Sequence, residues 1–134
     1  MSLKILFGTI LCLLFMACGT NYGGQYSGTA TGTISGTTIT SGTMNMTLYQ
    51  SGSSVNGTFI TTYNTNQTLS GTFSGSPSGS TLNSATFNIA AASGVAASSL
   101  TGTLTLSGTT LSGSVTGTTN GTPSTLNLNL NQSQ

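Results

Sequence analysis

Charge is nearly absent from this chain. One lysine, Lys4, stands alone among 134 residues, and there is no arginine, histidine, aspartate or glutamate. A single lysine makes no electrostatic footprint for nucleic acid or for anionic lipid headgroups. Without His, Asp or Glu there is no conventional general acid or base, and the usual ligands for zinc, calcium and magnesium are missing. The Ser, Thr and Tyr hydroxyls that remain are weak nucleophiles until a neighbouring base activates them. These absences predict a non-enzymatic protein with no catalytic residue, no metal site, no cofactor and no nucleic-acid partner. Tryptophan is also missing, and there are only two prolines and two cysteines.

The chain has one long apolar run, Ile5 to Ala17, which follows a short start containing Lys4. A positive start and an apolar segment of this length form a secretory signal, too short for a membrane-spanning helix. Cys12 lies inside the segment and would be removed with it, so Cys18 has no partner for an internal disulfide. The end of the run, Phe15-Met16-Ala17-Cys18-Gly19, resembles the lipobox of bacterial lipoproteins. In that family a small residue precedes the cysteine that becomes the lipidated N-terminus. Ala17 fits that position, and Phe15 stands where the family usually has Leu.

The resemblance covers residues 1–18. It implies that Cys18 carries a thioether-linked diacylglycerol and, in many species, an N-acyl chain, together enough for stable anchoring where one chain is marginal. It divides the chain into a signal peptide (1–17), a lipidated N-terminus and tether (18–24) and a folded domain (25–134). It also implies a place in the bacterial cell envelope with the membrane as partner. Gly19, in place of the aspartate that often retains enteric lipoproteins at the inner membrane, points to the outer membrane. Lys4 would leave with the signal, so the mature chain has no charged side chain.

Beyond Cys18 the sequence consists of Gly, Ser, Thr and Asn with apolar residues threaded through it. In "TMNMTLYQ", Met44, Met46 and Leu48 alternate with Thr43, Asn45, Thr47 and Tyr49; "LTGTLTL" from Leu100 and "TLNLNLN" from Thr125 alternate in the same way. Period two with Thr between apolar residues marks a strand with one buried face. The pattern predicts eight strands, near 25–34, 42–50, 55–63, 68–75, 81–91, 100–106, 111–117 and 124–131. Short Gly-containing turns separate most of them and permit only antiparallel neighbours. The nearest approach to a helical segment outside the signal, Ile89 to Ser99, is interrupted by Gly94.

An internal repeat accompanies the strands. "LYQSGSSVNGTF" from Leu48 aligns without gaps with "LTLSGTTLSGSV" from Leu104, and weaker copies begin at Gly36 and Gly79. A hairpin module used several times explains the pattern. Glycines at 28, 32, 57, 71, 102, 113 and 117 fall on the buried face. Strand glycine is tolerated where a strand bends sharply or another group comes close, as in a small closed barrel. Closure also removes the sheet edges, which here lack the charges that prevent edge pairing. The predicted fold is therefore all-β, an antiparallel up-and-down meander closed into an eight-stranded barrel.

A membrane-spanning barrel would invert the faces and would need strands of about 9–11 residues with aromatic girdles. Several predicted strands are shorter, and Phe59, Phe73 and Phe87 sit mid-strand, which favours a tethered soluble barrel. The architecture resembles the meander barrels of lipocalins and avidin-like proteins. Those families place tryptophan near the ligand, so none of their binding residues transfers to this chain.

Three functions fit these features. The first is a lipid-anchored envelope protein with a structural or interaction role. The second is a barrel binding a small uncharged or apolar ligand, for which the inward candidates are Met44, Met46, Phe59, Tyr63, Phe73 and Phe87, with Leu48 and Ile89 beside them. The third is a self-associating β-rich fibre or matrix protein, since zero net charge removes repulsion between copies.

Overall fold

A computed structural model describes residues 20–92 and 94–133. The signal segment and Cys18 lie outside the described residues. The eight strands are β1 (Gly24–Ile34), β2 (Thr37–Ser51), β3 (Ser54–Tyr63), β4 (Gln67–Ser78), β5 (Thr81–Ile89), β6 (Ser98–Ser107), β7 (Thr110–Thr119) and β8 (Thr122–Gln132). Each pairs antiparallel with its chain neighbour, and β1 pairs with β8 to close the barrel. The predicted meander is thus observed, and no helix occurs among the described residues.

Side-chain alternation sets the two faces. Tyr26, Ala30, Met44, Met46, Leu48, Phe59, Leu69, Phe73, Phe87, Leu104, Val115 and Leu128 are buried inside. Ser27, Asn45, Thr58, Thr103 and Asn129 are exposed on the outer wall. An apolar interior with a hydroxyl- and amide-rich exterior is the reverse of the arrangement a lipid-spanning barrel needs.

Inward glycines allow the strands to coil tightly. Gly71 sits between Phe59 on β3 and Ile89 on β5. A Cβ added there would land on the carbonyl oxygen of Asn88, and the Phe59 ring tip would lie 3.1 Å away. Gly57, between Leu48 and Phe73, likewise faces the carbonyl of Thr47. A large residue on one strand covers a glycine on the next, so aromatic side chains fit across a narrow lumen.

The strand positions differ from the sequence pattern mainly at two bulges. β2 begins at Thr37, five residues before the predicted start at 42. Ile39 and Gly42 both face inward while Thr40 and Ser41 are both exposed, and the β1–β2 register shifts at that point. In β5, Leu82 and Ala85 face inward around exposed Asn83 and Ser84, with the same kind of shift. An extra residue breaks period two, so the strand on the far side of a bulge looks out of phase. The bulges also match each other: Ile39-Thr40-Ser41-Gly42 and Leu82-Asn83-Ser84-Ala85 occupy equivalent places in the copies beginning at Gly36 and Gly79. Both copies therefore break the two-residue period at the same place.

The turns fall into two groups at opposite barrel ends. At one end, two-residue turns at Gly52-Ser53, Gly79-Ser80 and Gly108-Thr109 place the glycine at φ 59, 58 and 63. A left-handed first residue is the II′ arrangement, whose twist suits a hairpin. At the other end, Ser35-Gly36 and Asn120-Gly121 have both residues at positive φ, the I′ arrangement. The longer loop from Ala90 to Ala97 also lies at this second end.

Candidate functional site

The lumen is the first place to look for a binding site, and it is occupied by side chains. Phe73 pairs directly across the sheet with Phe87. The ring centroids are 4.9 Å apart for Phe73 and Phe87 and 5.1 Å for Phe59 and Phe87, both edge-to-face. Such pairs contribute about 0.5–1.5 kcal/mol each beyond area burial. Met46 lies beside this cluster, paired with Phe59 on one side and Tyr26 on the other. Met44 pairs with Gly28 and Thr61.

The six sequence-predicted ligand residues all face inward. The structure joins Met46, Phe59, Phe73 and Phe87 in one packed layer and places Tyr63 near the I′-turn end. Met44 and Phe87 are 0% exposed, Phe73 2% and Phe59 4%. With so little accessible surface, almost no water-sized space touches them, so they serve as packing at native density.

Both barrel ends are closed, a feature that sequence periodicity did not reveal. At the II′-turn end, Tyr22 is fully buried. Its Oη donates to the carbonyl of Gly79 at 2.8 Å, and its backbone N–H donates to Gln50 Oε1 at 2.9 Å. Tyr26 Oη donates to the Tyr22 carbonyl at 2.8 Å, and Gln132 Nε2 donates to the Gly23 carbonyl at 2.8 Å. Tyr22 falls in the span the sequence assigned to the tether; the structure makes it a stopper. Its distance from the first alternating strand concealed that role.

At the opposite end the 90–97 loop turns back through an Ala92–Val95 bridge and buries Val95. Thr119 Oγ1 donates to Ser98 Oγ at 2.7 Å, and Ser98 Oγ donates to the carbonyl of Ala96 at 2.8 Å. Ser124 Oγ accepts from the backbone N–H of Ser35. These neutral hydroxyls satisfy backbone groups that would otherwise be buried unpaired. The nearby Thr61 and Tyr63 hydroxyls are buried without a protein partner among the described residues.

An open depression of about 430 Å³ lies on the outer wall across β1, β2 and β3. Gln25, Ser27, Asn45, Thr47, Thr58 and Ile60 are among its lining residues. Ile60 is 46% exposed. This is an uncharged surface of amides and hydroxyls to which Ile60, Tyr26 and two of the predicted ligand residues, Met46 and Phe59, also contribute.

The buried phenols make stability depend on alkaline pH. Burial raises the pKa of the Tyr22 phenol above its usual value, and burial followed by the neighbouring Tyr22 pushes that of Tyr26 up to about 12. Both phenols donate hydrogen bonds, which requires their protons. A raised folded pKa stabilises the protonated fold below the unfolded value near 10, and that contribution is lost as pH rises towards the folded value. The urea midpoint should stay nearly flat from pH 3 to pH 9, since no carboxylate or imidazole side chain titrates. It should fall between about pH 10 and 12, with Tyr26 contributing on the order of 2 kcal/mol. A steep loss between pH 7 and pH 3 would contradict this account.

No family model matches the chain, and neither does any curated protein or solved structure.

Proposed function

We propose that the protein is a non-enzymatic lipoprotein of the bacterial cell envelope, anchored through acyl chains on Cys18, whose barrel serves as an inert structural or interaction module. One observation carries the structural part: the lumen is packed with side chains and stoppered at both ends. A rigid body with an uncharged wetted wall suits a role exercised by its surface. The signal segment ending at Ala17-Cys18 supports the anchor, with the outer membrane as its proposed place. The lack of acids and bases supports the non-enzymatic assignment.

Small-ligand binding is a second reading, favoured by the outer depression around Asn45 and Ile60. A ligand there would be uncharged and would contact amides, hydroxyls and apolar groups of Met46, Phe59 and Ile60.

Intact-mass spectrometry of protein from its native membrane fraction tests both. Under denaturing conditions, the mass of residues 18–134 plus acyl chains is expected; an unlipidated mass would remove the anchor. An additional small molecule retained only under gentle conditions would favour ligand binding over the inert module.

A further inference from the structure

We infer that the barrel stands with its Tyr22 end against the membrane, so that the turns at Gly52, Gly79 and Gly108 meet the lipid headgroups and the 90–97 loop faces away. The inference rests on the proposed acylation of Cys18 and adds an orientation and a lipid-facing surface to it.

The length of the leash is decisive. Only Gly19, Thr20 and Asn21 separate Cys18 from Tyr22. Four residue steps span at most about 14 Å when fully extended. Tyr22 cannot lengthen the leash, because its buried ring, its hydroxyl on Gly79 and its N–H on Gln50 hold it in the barrel end. The Gln132 amide on the Gly23 carbonyl fixes the next residue. The chain thus leaves the barrel from a defined point on the rim.

Barrel size turns that point into an orientation. A ten-residue strand tilted as in small barrels covers about 25 Å of axis. A leash shorter than that keeps the Tyr22 end near the lipid and directs the opposite end outward.

The chemistry of the near end permits close approach. Gly52-Ser53, Gly79-Ser80 and Gly108-Thr109 are exposed neutral turns. No ion has to be dehydrated as they meet the headgroups, and hydroxyls and backbone groups exchange water for headgroup oxygens at little cost. Without charge the orientation is independent of anionic lipid and of salt.

The test uses the full chain, produced isotope-labelled with its own signal segment in a bacterial host and placed in phosphatidylcholine nanodiscs carrying a gadolinium-chelate lipid. Paramagnetic broadening falls with the inverse sixth power of distance. Amides of Gly52, Gly79 and Gly108 should therefore broaden at least about tenfold more than those of Gly36, Gly94 and Gly121, given an end-to-end separation of about 25 Å. Equal broadening at both ends, or a reversal, overturns the orientation. So does a ratio that collapses in about 0.5 M salt.

Inserting about twenty Gly/Ser residues after Thr20 lengthens the leash without touching the Tyr22 stopper. The ratio should then fall towards one; an unchanged ratio overturns the leash argument. The mass of the same sample reports acylation separately. If Cys18 proves unmodified, the anchor reading fails. The orientation is then tested on the same chain with a maleimide phospholipid coupled to the Cys18 thiol, where equal broadening again overturns it.

Discussion

Gly71→Ala is expected to cost at least about 4 kcal/mol and to leave the barrel largely unfolded at room temperature, in the range reserved for severe core and backbone damage. The added methyl has no room. It would fall on the carbonyl oxygen of Asn88, a backbone atom of a paired strand, with the Phe59 ring directly over it. A flexible side chain could move aside, but a hydrogen-bonded strand in a closed barrel cannot shift without disturbing its neighbours around the circle. Gly52→Ala is the control. A Cβ there meets nothing within 4 Å, and the only penalty is its φ of 59, worth about 1–2 kcal/mol for an L-residue in the left-handed region. Urea unfolding of the two variants should separate them clearly. Similar midpoints would mean that tight strand coiling at the inward glycine is not what the fold requires.

Phe87→Ala is expected to destabilise by about 3–5 kcal/mol and to give the lumen a ligand site that the parent lacks. Phe87 is fully buried and makes edge-to-face contact with both Phe59 and Phe73. Its removal leaves the centre of the aromatic layer empty. The lining of Phe and Met is apolar, and an apolar cavity of this kind stays dry and accepts benzene or xenon. Benzene should therefore raise the thermal midpoint of the variant while leaving that of the parent unchanged. Benzene stabilisation of the parent itself would mean that the lumen already has room for a small apolar ligand and would revive the lumen-binding reading.

Much of this barrel could be read without coordinates. Met44, Met46 and Leu48, or Leu126, Leu128 and Leu130, declare an inward face by alternation alone, and the short Ser-Gly turns force antiparallel neighbours. Inward glycines announced tight coiling before Gly71 was seen under the Phe59 ring. The misreadings occurred where the two-residue period is broken. Thr40-Ser41 and Asn83-Ser84 are bulges, and Thr37–Ile39, on the far side of the first, falls outside the predicted 42–50 strand although it pairs with β1. Pro77 also pairs within β4, opposite Leu82 beside the β5 bulge, where a strand can tolerate a residue with no N–H. The candidate site was legible as a set of inward side chains. Their mutual fit was not, because packing depends on the volumes of residues brought from distant strands.

The sequence by itself determined the absence of carboxylate and imidazole side chains, the two faces of each strand and the antiparallel order of the strands, because composition and local periodicity are written residue by residue. Closure was expected from the inward glycines and the uncharged edges, and β1 meeting β8 completes it; only the tertiary structure decided that Tyr22 and Val95 stopper the two ends and that the lumen is filled. Closure depends on the accumulated twist and register of all eight strands, and filling depends on shapes summed across the barrel. The place where the chain enters the barrel follows from neither composition nor period. It is set by one phenol on the carbonyl of Gly79, 57 residues further along the chain.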